Sequence, residues 1–180
     1  MNVFFEALRV FGRRGCLFVG VVVALAGVAG VAPVLAATPT FPAVMTRAEL
    51  KAFVVAVRHT VYWAGPFVGA GYVYEVTQTK DGRVFVRYLP AGVKVGDPRS
   101  SFLVVATYPV KKAFEVTQAA AKRLGFASVS VGQGGTGFLS NPPTSFYFAY
   151  QRSTFQVEVY SARSGRAKQL AVAGKIVPIS

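Results

Sequence analysis

Residues 72–89 constrain the fold of this chain more than any other stretch. Two runs rich in β-branched and aromatic residues, Tyr-Val-Tyr-Glu-Val-Thr-Gln-Thr and Arg-Val-Phe-Val-Arg-Tyr-Leu, are separated by Lys80-Asp81-Gly82. This pattern makes a β-hairpin. A three-residue turn with Gly82 left-handed pairs Val76 with Val86, Tyr74 with Tyr88 and Glu75 with Arg87. The last pair is a cross-strand ion pair. A two-residue turn would set Val76 opposite Arg87 and Glu75 opposite Tyr88. That mixes apolar and charged faces, so the three-residue register is expected.

The segments around the hairpin read as alternating helices and strands. Thr46 is placed as a helix N-cap, with Glu49 completing a capping box and Met45 and Leu50 forming a hydrophobic staple. Leu50, Phe53, Val54 and Val57 form the inward stripe, and the helix is expected to end near Arg58 or His59. A short strand over 60–64 and a glycine-containing connection over 67–71 lead into the hairpin. Turn signals fill 90–100, and 101–108 is apolar enough for an interior strand. Pro109 suits the first position of a second helix. Val110, Ala113, Phe114, Thr117, Ala120, Ala121 and Leu124 would face inward, with Gly125 as its stop. Lys111, Lys112, Glu115, Gln118, Lys122 and Arg123 would face outward.

Beyond that helix a strand is expected over 126–131, a glycine-rich loop over 132–144 and a second hairpin from 145–151 and 154–161. Ser164 would cap a third helix over 165–173, closed by Gly174, and 176–179 would be a last strand. The recurring helix, glycine and short strand hint at a repeated unit. The fold class implied is α+β. It is a mainly antiparallel twisted sheet of about seven or eight strands with three helices packed on it, preceded by an N-terminal apolar helix.

That N-terminal helix comes from a separate signal. Arg9, Arg13 and Arg14 precede residues 16–37, which carry no charge and end in Val34-Leu35-Ala36-Ala37. A basic start, an apolar run and an A-x-A-like end are signal-peptide features, with cleavage before Ala37. The run is also long enough to span a bilayer once as a membrane anchor. Either way the positive-inside rule puts the N-terminus in the cytoplasm and everything after Ala37 outside. The organisation expected is a signal peptide or single-span membrane anchor over 1–37, a proline-containing linker over 38–45 and an extracytoplasmic domain over 46–180.

Charge and cysteine usage then limit the function. The chain has a formal net charge of +13, and beyond Ala37 seventeen basic side chains face six acidic ones. A field of that sign favours anionic partners such as lipid head groups or cell-wall polymers. If the helices cover one sheet face, that face is strongly basic. The single cysteine, Cys16, lies before the apolar run, so the domain has no thiol, no disulfide and no cysteine metal site.

Catalytic patterns are sparse. His59 is the only histidine and, without cysteine partners, builds no zinc site. Its place near a helix C-terminus is explained by the helix dipole. Glu49, Glu75, Asp81 and Asp97 are accounted for by a cap, an ion pair and two turns, Glu115 by a solvated helix face. Glu158 alternates with Val157 and Val159 and reads as facing water. Gly132-Gln133-Gly134-Gly135-Thr136-Gly137 lacks the lysine and following helix of a phosphate loop. No cofactor is implied.

Tyr62-Trp63-Ala64-Gly65-Pro66, Tyr74-Glu75-Val76-Thr77 and residues 82–90 resemble a group of uncharacterised exported proteins of high-GC Gram-positive bacteria. The resemblance covers about residues 60–110 and implies export, not an activity. The expected function is a non-catalytic accessory or binding domain of the cell envelope. It would contact anionic surfaces through Lys111, Lys112, Lys122 and Arg123. One alternative is a structural or assembly protein that offers Trp63 and Tyr147 on an aromatic sheet face to a protein partner. Another is a secreted enzyme of non-standard class. Nucleic acid is disfavoured by export and by the lack of an RNP-type motif.

Overall fold

The computed structural model describes residues 42–65 and 71–180. The apolar segment 16–37 lies outside the described residues, and with it the signal-or-anchor question and the expected N-terminal helix. In order, the described elements are β1 (Ala43–Met45), α1 (Arg47–Val57), β2 (Tyr62–Trp63), β3 (Tyr72–Gln78), β4 (Val84–Pro90), β5 (Val104–Pro109) and α2 (Ala113–Arg123). They continue with β6 (Val129–Val131), β7 (Gly135–Leu139), β8 (Ser145–Ala149), β9 (Phe155–Tyr160), α3 (Arg166–Val172) and β10 (Val177–Pro178). Eight strands form one sheet in the order β1-β3-β4-β5-β9-β8-β7-β6, and β2 and β10 form a small second sheet. Every described pair of neighbouring strands is antiparallel. The α+β class with a mainly antiparallel sheet and three helices is therefore as the sequence implies.

The hairpin has the register its residues dictate: Tyr74 opposite Tyr88, Glu75 opposite Arg87 and Val76 opposite Val86. Gly82 sits at φ +80°, where a side chain would be strained. The Gly82 N–H donates to the Thr79 carbonyl at 3.0 Å, and Asp81 pairs with Arg83 at 2.7 Å. The capping box of α1 is also present: Thr46 N–H donates to Glu49 Oε2 at 2.7 Å and Glu49 N–H to Thr46 Oγ1 at 3.3 Å. Leu50 and Phe53 are buried, and Val54 and Val57 pack against the same core.

Adjacent strand residues point to opposite faces, and β9 shows what covers each. Val157 and Val159 join Val86, Val105, Phe146 and Phe148 in the main core, with Leu50 of α1 and Ala167 and Ala171 of α3. Gln156 points the other way and donates to Thr117 of α2 at 2.8 Å. Helices α1 and α3 thus cover one face and α2 the other. The condition for a single strongly basic face, all helices on one side, is not met: Arg47, Lys51, Arg58, Arg166 and Lys168 lie on the opposite side of the sheet from Lys111, Lys112, Lys122 and Arg123.

Other expectations change for local reasons. The end of the expected linker is β1, which pairs along β3. Pro109 closes β5 and does not open α2, because the next residues are held on the β9 side: Val110 N–H donates to the Thr154 carbonyl at 2.8 Å. The helix starts after Lys112, whose φ of 55° breaks the chain direction. Leu124, expected inward, is exposed, and Val110 and Phe114 are half-buried. Gly165, not Ser164, occupies the N-cap of α3. The glycine-rich stretch expected to be a loop contains β7, between β8 and β6. The three helix-to-strand steps also end differently: β6 joins the main sheet, whereas β2 and β10 pair with each other.

Candidate functional site

Lys111 and Lys112 precede α2, and Lys122 and Arg123 lie in its last turn. All four are exposed, because Ala113, Thr117, Ala120 and Ala121 take the buried face. They bracket a helix about 16 Å long. The pair at the C-terminal end also complements the helix dipole. The ion pairs Arg83–Asp81, Arg87–Glu75 and Arg99–Asp97 occupy carboxylates elsewhere. None of the four cations of α2 has a carboxylate partner among the described residues. Glu115 is the acidic residue on this helix, in its first turn.

The two aromatic candidates separate. Trp63 is only 4% exposed. Its ring packs edge-on against Tyr74 at 5.5 Å, with the Arg47 guanidinium 5.8 Å from its centroid. It is a core residue, and the reading of Trp63 as a surface contact is corrected. Tyr147 is half-buried on the α2 face, stacked on Phe138 at 5.3 Å.

Tyr147 also faces a carboxylate that the sequence reading placed in water. Glu158, directly across the ladder from Tyr147, is 8% exposed. Its two oxygens accept from the Tyr108 hydroxyl at 2.5 Å and the Ser145 hydroxyl at 2.7 Å. Those donors come from the strands on either side, β5 and β8, so the carboxylate ties three strands together. The alternation Val157-Glu158-Val159 shows which face Glu158 takes. It does not show that this face is covered.

Burial raises the Tyr108 and Tyr147 hydroxyls well above their ordinary value, with the Glu158 charge adding to the effect. Tyr88, whose hydroxyl accepts from Ala64 N–H at 2.6 Å, is raised by burial as well. For each, the folded protein holds the proton more tightly than the unfolded chain does. Their stabilisation is complete below the ordinary tyrosine value of 10.0 and is lost as pH rises above it. We expect cooperative alkaline unfolding, with tyrosinate absorbance rising in the same transition as loss of strand circular dichroism. Ionisation of Tyr88, Tyr108 or Tyr147 well before unfolding would contradict this.

Glu75 and Arg87 form a second buried polar group, with the ion pair at 3.1 Å and side chains 1% and 8% exposed. Glu75 also accepts from Gly96 N–H, and Arg87 donates to the Arg99 carbonyl, each at 2.5 Å. The pair therefore holds the loop between β4 and β5 onto the sheet. His59 stacks on Phe155 at 5.5 Å, with Nδ1 3.0 Å from the Thr60 carbonyl. Its buried Nε2 meets no hydrogen-bond partner among the described residues. Among the described residues no three His, Cys, Asp or Glu side chains converge as a metal site.

Compared with protein-family models, curated proteins and solved structures, the chain matches none. The functional reading rests on its own residues.

Proposed function

We propose that the domain is a non-catalytic, extracytoplasmic binding module of the cell envelope that docks on an anionic lipid surface through the outer side of α2. The observation that carries this reading is the set of four exposed cations, Lys111, Lys112, Lys122 and Arg123, without carboxylate partners among the described residues, on a chain whose part beyond Ala37 carries seventeen basic and six acidic side chains. Export enters from the arginine-flanked apolar segment at 16–37. Burial of Trp63 removes one of the two residues on which the rival, a protein partner at an aromatic sheet face, depended.

Each basic side chain close to an anionic membrane contributes about 1 kcal/mol, so four give about 4 kcal/mol, enough for reversible attachment. The test uses a chain beginning at Thr38, which retains every described element. It is mixed with vesicles of phosphatidylcholine alone or with phosphatidylglycerol. Binding is expected only to the anionic vesicles and is expected to weaken as salt shortens the Debye length. Replacing all four residues by Gln is expected to reduce binding by roughly two to three orders of magnitude. Stability should change little, since exposed substitutions of this kind cost within about 0.5 kcal/mol. Equal binding to both vesicle types, or binding indifferent to salt, would remove the reading.

A further inference from the structure

At the other end of the β-strands from the loop held by Glu75 and Arg87, a cleft of about 570 Å³ opens between the small β2–β10 sheet and two turns of the main sheet. One turn joins β6 to β7 through Gln133, and the other joins β8 to β9 through Arg152. Tyr62, Tyr150 and Phe155 supply aromatic surface, and Gln133, Gln151 and Arg152 supply polar groups. The two turns brace each other: a side chain added at Gly134 would meet Gln151 at 3.5 Å, and one at Gly135 would meet Tyr150 at 3.0 Å.

The backbone at its rim is unusual for its residues. Gln133 and Arg152 both have φ of 60°. The Ser153 N–H donates to the Tyr150 carbonyl at 3.1 Å, closing a four-residue turn with Arg152 in its third position. A left-handed residue there is ordinarily glycine or asparagine. Placing arginine there strains the backbone, and such strain collects at functional sites. The same turn meets the chain just ahead of α2. Val110 N–H donates to the Thr154 carbonyl and Ala113 N–H to the Ser153 carbonyl, so the segment bearing Lys111 and Lys112 is bonded along the Arg152 turn.

We propose that this cleft binds an acidic sugar unit, with Arg152 taking its carboxylate and the Tyr62, Tyr150 and Phe155 wall taking its ring. Among the described residues no carboxylate lines the cleft, and the Arg152 charge disfavours a cation there. A purely apolar ligand would leave Gln133, Gln151 and Arg152 desolvated without partners. A single inorganic anion would fill little of a space of about 570 Å³. A hydroxylated ring with one negative group satisfies all three demands. The inference stands apart from membrane docking, since Arg152 is not among the four residues assigned to α2.

The test is calorimetric titration of the full-length chain with a glucuronic acid oligomer, with a neutral glucose oligomer and inorganic phosphate as the other arms. Saturable binding of the acidic oligomer is expected, with weaker binding of the neutral one and little of phosphate. Arg152→Gly removes the charge and relieves the left-handed strain, so the variant is expected to fold at least as well as the parent. It is expected to weaken acidic-oligomer binding about tenfold or more, without altering neutral-oligomer binding. Attachment to anionic vesicles should fall far less than in the chain with all four α2 cations replaced, which separates this result from the fate of the α2 reading. Absence of saturable binding would overturn the proposal. So would displacement of the oligomer by equimolar phosphate, or affinity unchanged in the Arg152→Gly chain.

Discussion

A Gly137→Val chain is expected to fail to fold. Gly137 lies in β7, paired with Phe148 of β8. A Cβ built at this position would lie 2.5 Å from the Tyr147 carbonyl oxygen and 2.7 Å from the Phe146 ring. The carbonyl belongs to the neighbouring strand, and Phe146 is fully buried, so neither can yield without opening the sheet or the core. Overpacking by a methyl or two costs roughly 1–3 kcal/mol where side chains can shift. Here backbone must shift, and more than about 4 kcal/mol is expected. That is a large part of the stability of a domain this size. Gly132→Val is the matched control, because a Cβ there meets nothing within 4 Å. Urea denaturation followed by circular dichroism compares the two. A Gly137→Val protein with a midpoint near the parent's would show that β8 and β7 are not as close as described.

The second large effect is expected at Arg87. Arg87→Met leaves the Glu75 carboxylate buried without its cation, and breaking a buried pair from one side costs about 3–5 kcal/mol. The Arg99 carbonyl also loses its donor, which releases one of the anchors of the loop between β4 and β5. Removing both charges, as Glu75→Met with Arg87→Met, is expected to recover part of the loss, since no isolated charge then remains. Full recovery is not expected: Gly96 N–H would lose its acceptor. Denaturant midpoints of the single and double variants measure the coupling, and hydrogen exchange over residues 91–103 reports the loop. A single substitution costing under about 1 kcal/mol, or a double variant weaker than the single, would refute the assigned role of the pair.

The parts of this fold that could be read from the sequence are those decided by neighbours in the chain. Thr46 and Glu49 are three residues apart and satisfy each other's backbone groups wherever the helix goes. Asp81 and Gly82 specify a turn, and the turn specifies the register that places Glu75 against Arg87. Gly135–Leu139 was not readable in this way. Glycine there answers to the close approach of Tyr147 and Phe146, which are distant in sequence, and composition alone makes it look like a loop. Pro109 misleads for a related reason. It suits a helix start, but Thr154 captures the following residue first. At the candidate sites, exposure of Lys122 and Arg123 followed from helical periodicity, whereas Lys111 and Lys112 are exposed ahead of the helix. The burial of Glu158 depends on what covers the second sheet face, and the cleft depends on two turns meeting. No local pattern encodes either.

The short strand β1 has a consequence for how the sheet meets other molecules. It covers three residues of β3, which is seven residues long. At the opposite edge β6 is also three residues long. Among the described residues, each outermost strand therefore offers only about 10 Å of its own backbone to a passing chain. Short edge strands are one means by which sheets resist joining end to end with other copies. On the β1 side this protection hangs on Ala43, Val44 and Met45. A protease cut that released them would bare β3 along its full length, converting a guarded margin into a template for fibre growth.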